Sequence, residues 1–502
     1  MGIKARVIQD TVRYAASMVL AQFVLFVGGF AIARFLGPTH YGLWNGLQLI
    51  LQYASYSQLG IVNALNRELP LRRGKGELAQ AERVRSATLG TVLVTALVAG
   101  AGILAYSMIA TSRHSPLVIL GLRFVGLLVI LQQIYGYSEI CFRTNHEFGI
   151  VGKLRLFRTV LEVSLAVLLT YAFDLAGRLW AATLTFIVIL AYIFRRHPVP
   201  FRPAFDPKGA TKLITIGFPI MLVGLVSGVY QSIDRVLILA FLDPTHLGYY
   251  AIGLTAASVL GILPGVVGEI LYPRFAERYG ATNSPSQLKE YVLTPTYLLA
   301  HLLPLFQGTI YLLIPYVILT ALPKYALAIR PARILVMGSF FFAVAGFASD
   351  FLNTINKQAM NLMAQIASLA IAISSTYAVL RLGWGIQGVA VATVLTSLFY
   401  SLGLLGYVLL RHFATPLDSL KTLWNLYLPF GYCLALLLLI DLIPEAAIGQ
   451  GIPLLPLVLL KVVIFTLFVF PLIARANRRV SFLPELFQQV AGLWRTGSNR
   501  SA

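Results

Sequence analysis

The sequence predicts an all-α polytopic membrane protein of about fourteen transmembrane helices, with both termini in the cytoplasm. Three observations predict this class. Of the 502 residues, 58% are hydrophobic and only 12% are charged, which is about half the charged content of soluble domains. Apolar runs long enough to cross about 30 Å of hydrocarbon recur along the whole chain. Basic residues gather in alternate connections between these runs.

The predicted spans follow from scanning for runs of about 20 apolar residues. They lie near 11–36, 41–66, 86–111, 116–140, 148–172, 175–195, 212–241, 247–272, 290–318, 333–356, 359–381, 384–410, 424–443 and 453–474. The first run is too long for a signal-peptide core and lacks a small-residue cleavage site, so we expect it to be a retained span.

The excess of basic residues has a topological explanation. The chain carries 39 Lys and Arg against 19 Asp and Glu. Clusters of them lie in the connections 67–85 and 195–212, both predicted to be cytoplasmic, while the predicted outer turn at 37–40 is short. One connection, around 324–333, puts positive charge on the predicted outer side. The charge therefore indicates membrane orientation, and no nucleic-acid partner is expected.

An internal repeat organises the first twelve spans. The segment 35–42, Phe-Leu-Gly-Pro-Thr-His-Tyr-Gly, matches 241–248, Phe-Leu-Asp-Pro-Thr-His-Leu-Gly, at an offset of 206 residues. Both copies lie in the turn after the first span of each half, which predicts two six-helix lobes of the same orientation. The predicted domains are an N-terminal lobe (1–195), a cytoplasmic linker (196–212), a C-terminal lobe (213–410), helices 13 and 14 (411–475) and a basic cytoplasmic tail (476–502).

Polar residues inside the spans are candidates for a substrate cavity, because a charge there costs at least about 2.5–3.5 kcal/mol. The predicted cavity residues are Arg123, Arg155, Arg158, Glu162, Gln52 and Asn63. Residues predicted to serve coupling or contact between the lobes are Asp234, Arg235, Glu269 and Asp350. Two alternatives stay open at this point: Arg123 and Glu162 could pair with each other, and Asp234 with Arg235 could form a structural ion pair.

Sequence motifs for other chemistry are absent. The chain has neither a Gly-rich phosphate loop with its lysine nor an HExxH motif, and Cys141 and Cys433 do not have metal-ligand spacing. We therefore expect no enzyme activity, no metal and no cofactor. A membrane-embedded polysaccharide polymerase or glycosyltransferase is the alternative from another class, but no outer connection exceeds about fifteen residues.

Three stretches carry a family resemblance: the turn 35–42, the segment 217–250 with its Gly-Phe-Pro and Ser-Ile-Asp-Arg elements, and the segment 384–393, Trp-Gly-Ile-Gln-Gly-Val-Ala-Val-Ala-Thr. Together with the fourteen predicted spans, they resemble the polysaccharide and oligosaccharide flippases of the multidrug/oligosaccharidyl-lipid/polysaccharide exporter superfamily. The resemblance covers the whole chain.

The resemblance implies a transporter of the bacterial inner membrane that works by alternating access. Its implied substrate is a polyprenyl-pyrophosphate-linked oligosaccharide repeat unit, moved from the cytoplasmic to the outer leaflet for surface polysaccharide assembly. The implied partners are this glycan, the bilayer, a polysaccharide polymerase and chain-length proteins. A cation-coupled multidrug exporter and a lipid II flippase share the scaffold and stay open as alternatives.

Overall fold

The computed structural model describes residues 3–145, 147–196, 201–442 and 454–480, and within these ranges the chain is helical and contains no strand. The helices are α1 (Ile3–Ala54), α2 (Ile61–Gly74), α3 (Leu78–Ile109), α4 (Pro116–Thr144), α5 (Phe148–Arg196), α6 (Pro207–Tyr230), α7 (Ile233–Phe241), α8 (Pro244–Ser258), α9 (Ile262–Thr282), α10 (Lys289–Ala321), α11 (Ile329–Thr354), α12 (Gln358–Arg381), α13 (Gly385–Val408), α14 (Pro416–Asp441) and α15 (Leu454–Val480). The predicted all-α fold class is confirmed.

Two of the long helices contain a tight turn, so each comprises two predicted spans. In α1 the turn is at Gly37, whose φ of 68° and ψ of 172° lie outside the helical region. In α5 it is at Asp174, with φ of 53° and ψ of −134°. Glycine adopts positive φ without steric cost, and aspartate tolerates it better than most residues. The Asp174 carboxylate also lies 2.8 Å from Nδ1 of His40, which joins the two turns.

By length and composition, eleven helical segments of the described residues could each cross a membrane. Two of them contain the turns in α1 and α5, and the predicted spans 212–241 and 247–272 correspond to α6–α7 and α8–α9. The structure is therefore consistent with about fourteen crossings. The run 212–241 is a broken helix, because α6 ends at Tyr230 and α7 begins at Ile233.

The two copies of the repeated turn contact each other. Gly42 packs on the carbonyl oxygen of Pro244 so closely that a methyl group would overlap it, and its repeat equivalent packs on Pro38 in the same way. The hydroxyl of Thr39 lies 3.0 Å from that of its own equivalent. Since each contact occurs with the roles exchanged, the turns are related by a local pseudo-two-fold axis. We call these residues the repeat clasp: Pro38, Thr39, Gly42, Pro244, Thr245 and Gly248.

A short hydrogen-bonded loop begins the second half of the clasp. The backbone N–H of His246 donates a 2.9 Å hydrogen bond to Oδ1 of Asp243, just before α8. Partial burial raises the pKa of Asp243, but this hydrogen bond outweighs burial, and the pKa lies below its usual value. The Asp243 carboxylate is therefore ionised at neutral pH and fixes the turn that carries Thr245.

One compact unit comprises 1–255, 321–331 and 365–392. In it α1 packs along α5, α3 packs along α4, and α2 contacts α3 and α6. A buried apolar cluster joins these elements: Ile61, Ala64, Ala87, Val92 and Leu213. The unit contains the repeat clasp and the candidate site described below.

A second compact unit comprises 256–320, 332–364 and 393–502. In it Gly308 of α10 lies against the ring of Phe465, where a larger residue would not fit. Arg333 pairs with Asp441 at 3.3 Å and lies over the ring of Tyr311, 4.5 Å from its centroid. This pairing explains why Arg333 departs from the charge alternation, because its charge is compensated inside the protein. The lobe boundaries predicted from the repeat stay a prediction.

Candidate substrate cavity

A polar cavity of about 520 Å³ lies inside the first unit, between α1, α2, α4 and α5. This volume is within the roughly 300–1,000 Å³ of typical ligand sites. Its lining side chains recur every three or four residues, the spacing that places them on one helix face. Those of the first wall are Gln48, Leu51, Ser55, Gln58 and Val62; those of α4 include Leu128, Gln132, Tyr135 and Glu139; those of α5 are Arg158, Glu162, Ala182 and Phe186.

The first wall is interrupted between α1 and α2. A 3-10 turn spans Ser55–Gln58, and Gly60 then adopts a φ of 82° that glycine tolerates best. Side chains bond the backbone groups freed by the break: Gln133 of α4 donates to the Ser55 carbonyl at 2.7 Å, and Gln58 accepts from the N–H of Val62 at 2.9 Å. Broken helices are tolerated at membrane depth where they line a polar cavity in this way.

Two carboxylates line the cavity, and arginines compensate both. Oε1 of Glu139 accepts hydrogen bonds from Nη2 of Arg143 at 3.0 Å and from Nε of Arg155 at 3.1 Å. Oε1 of Glu162 accepts from Nη2 of Arg178 at 2.9 Å. Neither carboxylate is therefore an uncompensated negative charge facing a ligand.

Arg178 is a buried residue that sequence reasoning missed. Its guanidinium carbon lies 3.9 Å from the centroid of the Trp44 ring, and its side chain is only 8% exposed. The signal for it was present, because a charge three residues after Asp174 lies inside the predicted span 175–195. It was read only as part of a weak repeat. Glu139 was missed similarly, although it continues the α4 stripe of Gln132 and Tyr135.

Arg158 differs from the other cavity arginines, because it forms no ion pair with any described carboxylate. Its guanidinium carbon lies 5.3 Å from the ring centroid of Tyr135 and 5.7 Å from that of Phe186. Its buried Nε has no hydrogen-bond partner. Cation–π contacts hold a guanidinium in place without using its N–H donors. Arg158 thus presents positive charge and unused donors to the cavity.

Two glutamines on facing walls are also without partners. Gln48 and Gln132 are partly buried, line the cavity and form no side-chain hydrogen bond within the described residues. By contrast, the amides of Gln58 and Gln133 hold the broken backbone. The first pair is therefore available to a ligand, while the second pair supports the wall.

The structure brings four of the predicted cavity residues together. Arg158 and Glu162 line the cavity. Arg155 reaches it through its bonds to Glu139. Asn63 accepts a 3.3 Å hydrogen bond from Gln58 and so supports a lining residue.

The structure places the other two predicted cavity residues elsewhere. Gln52 follows the lining residue Leu51, so it points about 100° away from the lining face. Arg123 is exposed and does not line the cavity. The alternative pairing of Arg123 with Glu162 is also replaced, since Glu162 bonds Arg178.

Asp234, from the predicted coupling set, is buried at the start of α7. Its Oδ2 accepts a 2.7 Å hydrogen bond from the hydroxyl of Tyr250, and its Oδ1 accepts one of 2.7 Å from the N–H of Arg235. The Arg235 side chain donates to the carbonyl of Gln231 at 3.1 Å, and its Nε lies 4.0 Å from Asp234. Arg235 was expected to pair across helices, but these contacts lie within its own stretch of chain.

The remaining coupling candidates belong to the second unit. Asp350 is a partly buried residue of α11 that forms no ion pair within the described ranges. The side chain of Glu269 lies outside the part of the structure that is described. Among the described residues, no group of three or more His, Cys, Asp and Glu side chains is arranged to hold a metal ion.

The fold and the internal cavity define the protein class, a polytopic helical transporter. The chain aligns over 92% of its length with all of a structure of the lipid II flippase MurJ in an inward closed conformation, with TM-score 0.64 and 14% identity. A MATE structure in the straight conformation aligns over 84% of the chain with TM-score 0.56. A MOP-superfamily transporter from Pyrococcus furiosus aligns over 83% with TM-score 0.55. These similarities establish the fold of the superfamily.

Sequence comparison identifies the family. Residues 31–326, more than half of the chain, match the family described as polysaccharide biosynthesis protein, and the chain belongs to that family. It is also 22% identical over 259 residues to a Shigella flexneri protein assigned to O-antigen transport. That alignment spans 49% of the chain and 60% of the relative. The predicted resemblance to polysaccharide flippases is confirmed.

Proposed function

We propose that this protein moves polyprenyl-pyrophosphate-linked oligosaccharide units from the cytoplasmic to the outer leaflet of the bacterial inner membrane. The observation that carries the proposal is Arg158, a cation without a carboxylate partner in a polar cavity of a polysaccharide-biosynthesis transporter. In this assignment both termini are cytoplasmic, and a polysaccharide polymerase and chain-length proteins are the partners that use the product.

The pyrophosphate is the part of such a substrate that Arg158 would bind. A guanidinium presents a planar set of donors that matches phosphate oxygens, and these charge-assisted bonds are stronger than neutral ones. Because Glu139 and Glu162 are each bonded to arginine, neither is left to repel the anion strongly. The polyprenyl chain needs no polar cavity and would stay in the bilayer.

Alternating access would require the repeat clasp to open and close. The clasp joins the first turn of one sequence repeat to the first turn of the other through backbone contacts at two glycines. A contact between equivalent turns suits a gate, since separating the repeats breaks both halves together. Asp234 is the proposed coupling residue, because it is a buried carboxylate in a broken helix, bonded to the hydroxyl of Tyr250.

The test compares two arginines of the same lobe, Arg158→Ala and Arg123→Ala, in cells that lack the chromosomal gene. We expect Arg158→Ala to lower transport of the lipid-linked unit by about ten- to a hundredfold, the value of one or two hydrogen bonds to a charged group. Lipid-linked units should then accumulate on the cytoplasmic side. Arg123→Ala should restore surface polysaccharide, because Arg123 is exposed.

Membrane levels of both variants are measured by immunoblotting, so that loss of protein is not read as loss of transport. Wild-type polysaccharide in cells carrying Arg158→Ala would overturn the role of Arg158. Normal surface polysaccharide in the gene deletion would overturn the proposed function. Transport of lipid II or of a cationic drug by the purified protein, without transport of the polysaccharide precursor, would assign one of the alternative substrates on this scaffold.

A further inference from the structure

We propose that Gln48 and Gln132 form a subsite for the uncharged sugars next to the pyrophosphate. The inference rests on the proposed function and adds to it the chemical class of the glycan. It starts from the two amides that line the cavity from facing walls and have no hydrogen-bond partner within the described residues.

A buried or partly buried amide is rarely left without a partner, because the lost hydrogen bonds are costly. Each glutamine offers an acceptor oxygen and two N–H donors, which match the alternating donor and acceptor character of sugar hydroxyl and acetamido groups. The other two cavity amides, of Gln58 and Gln133, are used by the backbone. The available amides are therefore a feature of the cavity and are not required by the fold.

The charge of the cavity determines which sugars fit. Arg155 and Arg178 are bonded to Glu139 and Glu162, which leaves Arg158 as the described cavity arginine without a carboxylate partner. One guanidinium suffices for the pyrophosphate but leaves no second cation for a sugar carboxylate. A neutral amide wall next to one cation therefore favours an uncharged sugar over a uronic acid.

Helix geometry supports a subsite that is distinct from Arg158. Gln48 lies on the first wall, seven residues or about two helical turns before Ser55, on the same helix face. Gln132 lies on α4, one turn before Gly136, while Arg158 lies on the third wall, formed by α5. The amides and the cation thus reach the cavity from three helices, so a ligand can contact both.

The experiment measures the affinity of the purified full-length protein for three lipids: polyprenyl diphosphate, the same lipid with a neutral disaccharide, and the same lipid with a disaccharide that contains a uronic acid. The variant is the double substitution Gln48→Ala and Gln132→Ala. The matched control is Gln52→Ala, which removes the same side chain one helical turn from Gln48 and outside the cavity lining.

We expect the wild type to bind the neutral glycolipid most tightly. The double variant should lose about tenfold in affinity for that lipid, which corresponds to roughly one net hydrogen bond from each amide, and should bind polyprenyl diphosphate unchanged. The Gln52→Ala control should behave as wild type. Equal thermal midpoints of the double variant and the control exclude a loss of folding as the cause.

Two results would overturn the subsite: equal affinity of the wild type for lipids with and without the neutral disaccharide, or an unchanged preference in the double variant. Equal binding of the neutral and acidic glycolipids would overturn the proposed sugar class. Failure of the proposed function is a different result, in which the wild type binds none of the three lipids.

Discussion

At the scale of single residues, the same side-chain type has different roles in one unit. Arg178 and Arg158 both lie against aromatic rings, but Arg178 is bonded to Glu162 whereas Arg158 has no carboxylate partner. A charge in a low-dielectric environment needs a partner or a ligand. Arg178 therefore contributes to the fold, and Arg158 is the residue that a ligand can complete.

The Glu162–Arg178 pair gives a prediction at this scale. Glu162→Gln should destabilise the protein by about 3 kcal/mol, because it leaves the buried guanidinium without a counter-charge. The double variant Glu162→Gln with Arg178→Met should recover most of that loss. The measurement is a double-mutant cycle of thermal unfolding in detergent.

The control for this cycle is Glu82→Gln, which removes a surface partner of Arg85 whose side chain is 55% exposed. It should cost less than about 1 kcal/mol, because water screens an exposed pair. Equal losses for Glu162→Gln and Glu82→Gln would show that burial does not strengthen the first pair.

At the scale of elements, breaks in helices create the polar features of the molecule. The break between α1 and α2 places Ser55 and Gln58 in the cavity wall, and the break between α6 and α7 buries Asp234 at a helix start. The freed backbone groups near the first break are bonded by Gln133 and Gln58. Uninterrupted helices would offer these groups no partner role.

Close packing of α1 on α8 gives a second prediction. Gly42→Ala should destabilise the protein by about 1–3 kcal/mol, because its methyl group would overlap the Pro244 carbonyl, which is backbone and cannot rotate away. Gly102→Ala in α3 should instead stabilise by about 0.5–1 kcal/mol, since nothing lies near that position and alanine favours a helix. Thermal midpoints of the two variants would then shift in opposite directions, and a shared direction would contradict the predicted contact.

At the scale of the whole molecule, the repeat clasp connects sequence to transport. Its two halves come from segments 206 residues apart, and the hydroxyls of Thr39 and Thr245 are 3.0 Å apart. If the protein works by alternating access, this contact must break once in each cycle. A covalent bond across it should therefore stop transport.

The corresponding variant carries Thr39→Cys and Thr245→Cys. Oxidation should form a disulfide across the clasp and reduce transport by at least about tenfold, and a reducing agent should restore it. Each single cysteine variant serves as the control, since Cys141 and Cys433 are buried. Transport at the wild-type rate by fully cross-linked protein would show that the clasp is a static contact.

The sequence by itself determined the class of protein, the approximate positions of the spans and the existence of the repeat. Apolar runs, basic connections and the matching turns are local signals, and a bilayer limits the chain to helices that satisfy their own backbone bonds. For the same reason the turns at Gly37 and Asp174 were predictable within a few residues.

The tertiary structure alone decided which charges are paired. Sequence hydropathy ranks Arg123, Arg158 and Glu162 equally, because it records that a charge lies in a span and not the direction in which it points. Only packing shows that Glu162 bonds Arg178, that Arg123 is exposed, and that Arg158 faces the cavity. Pairing depends on contacts between residues distant in the chain, and the physical role of a buried charge is set by those contacts.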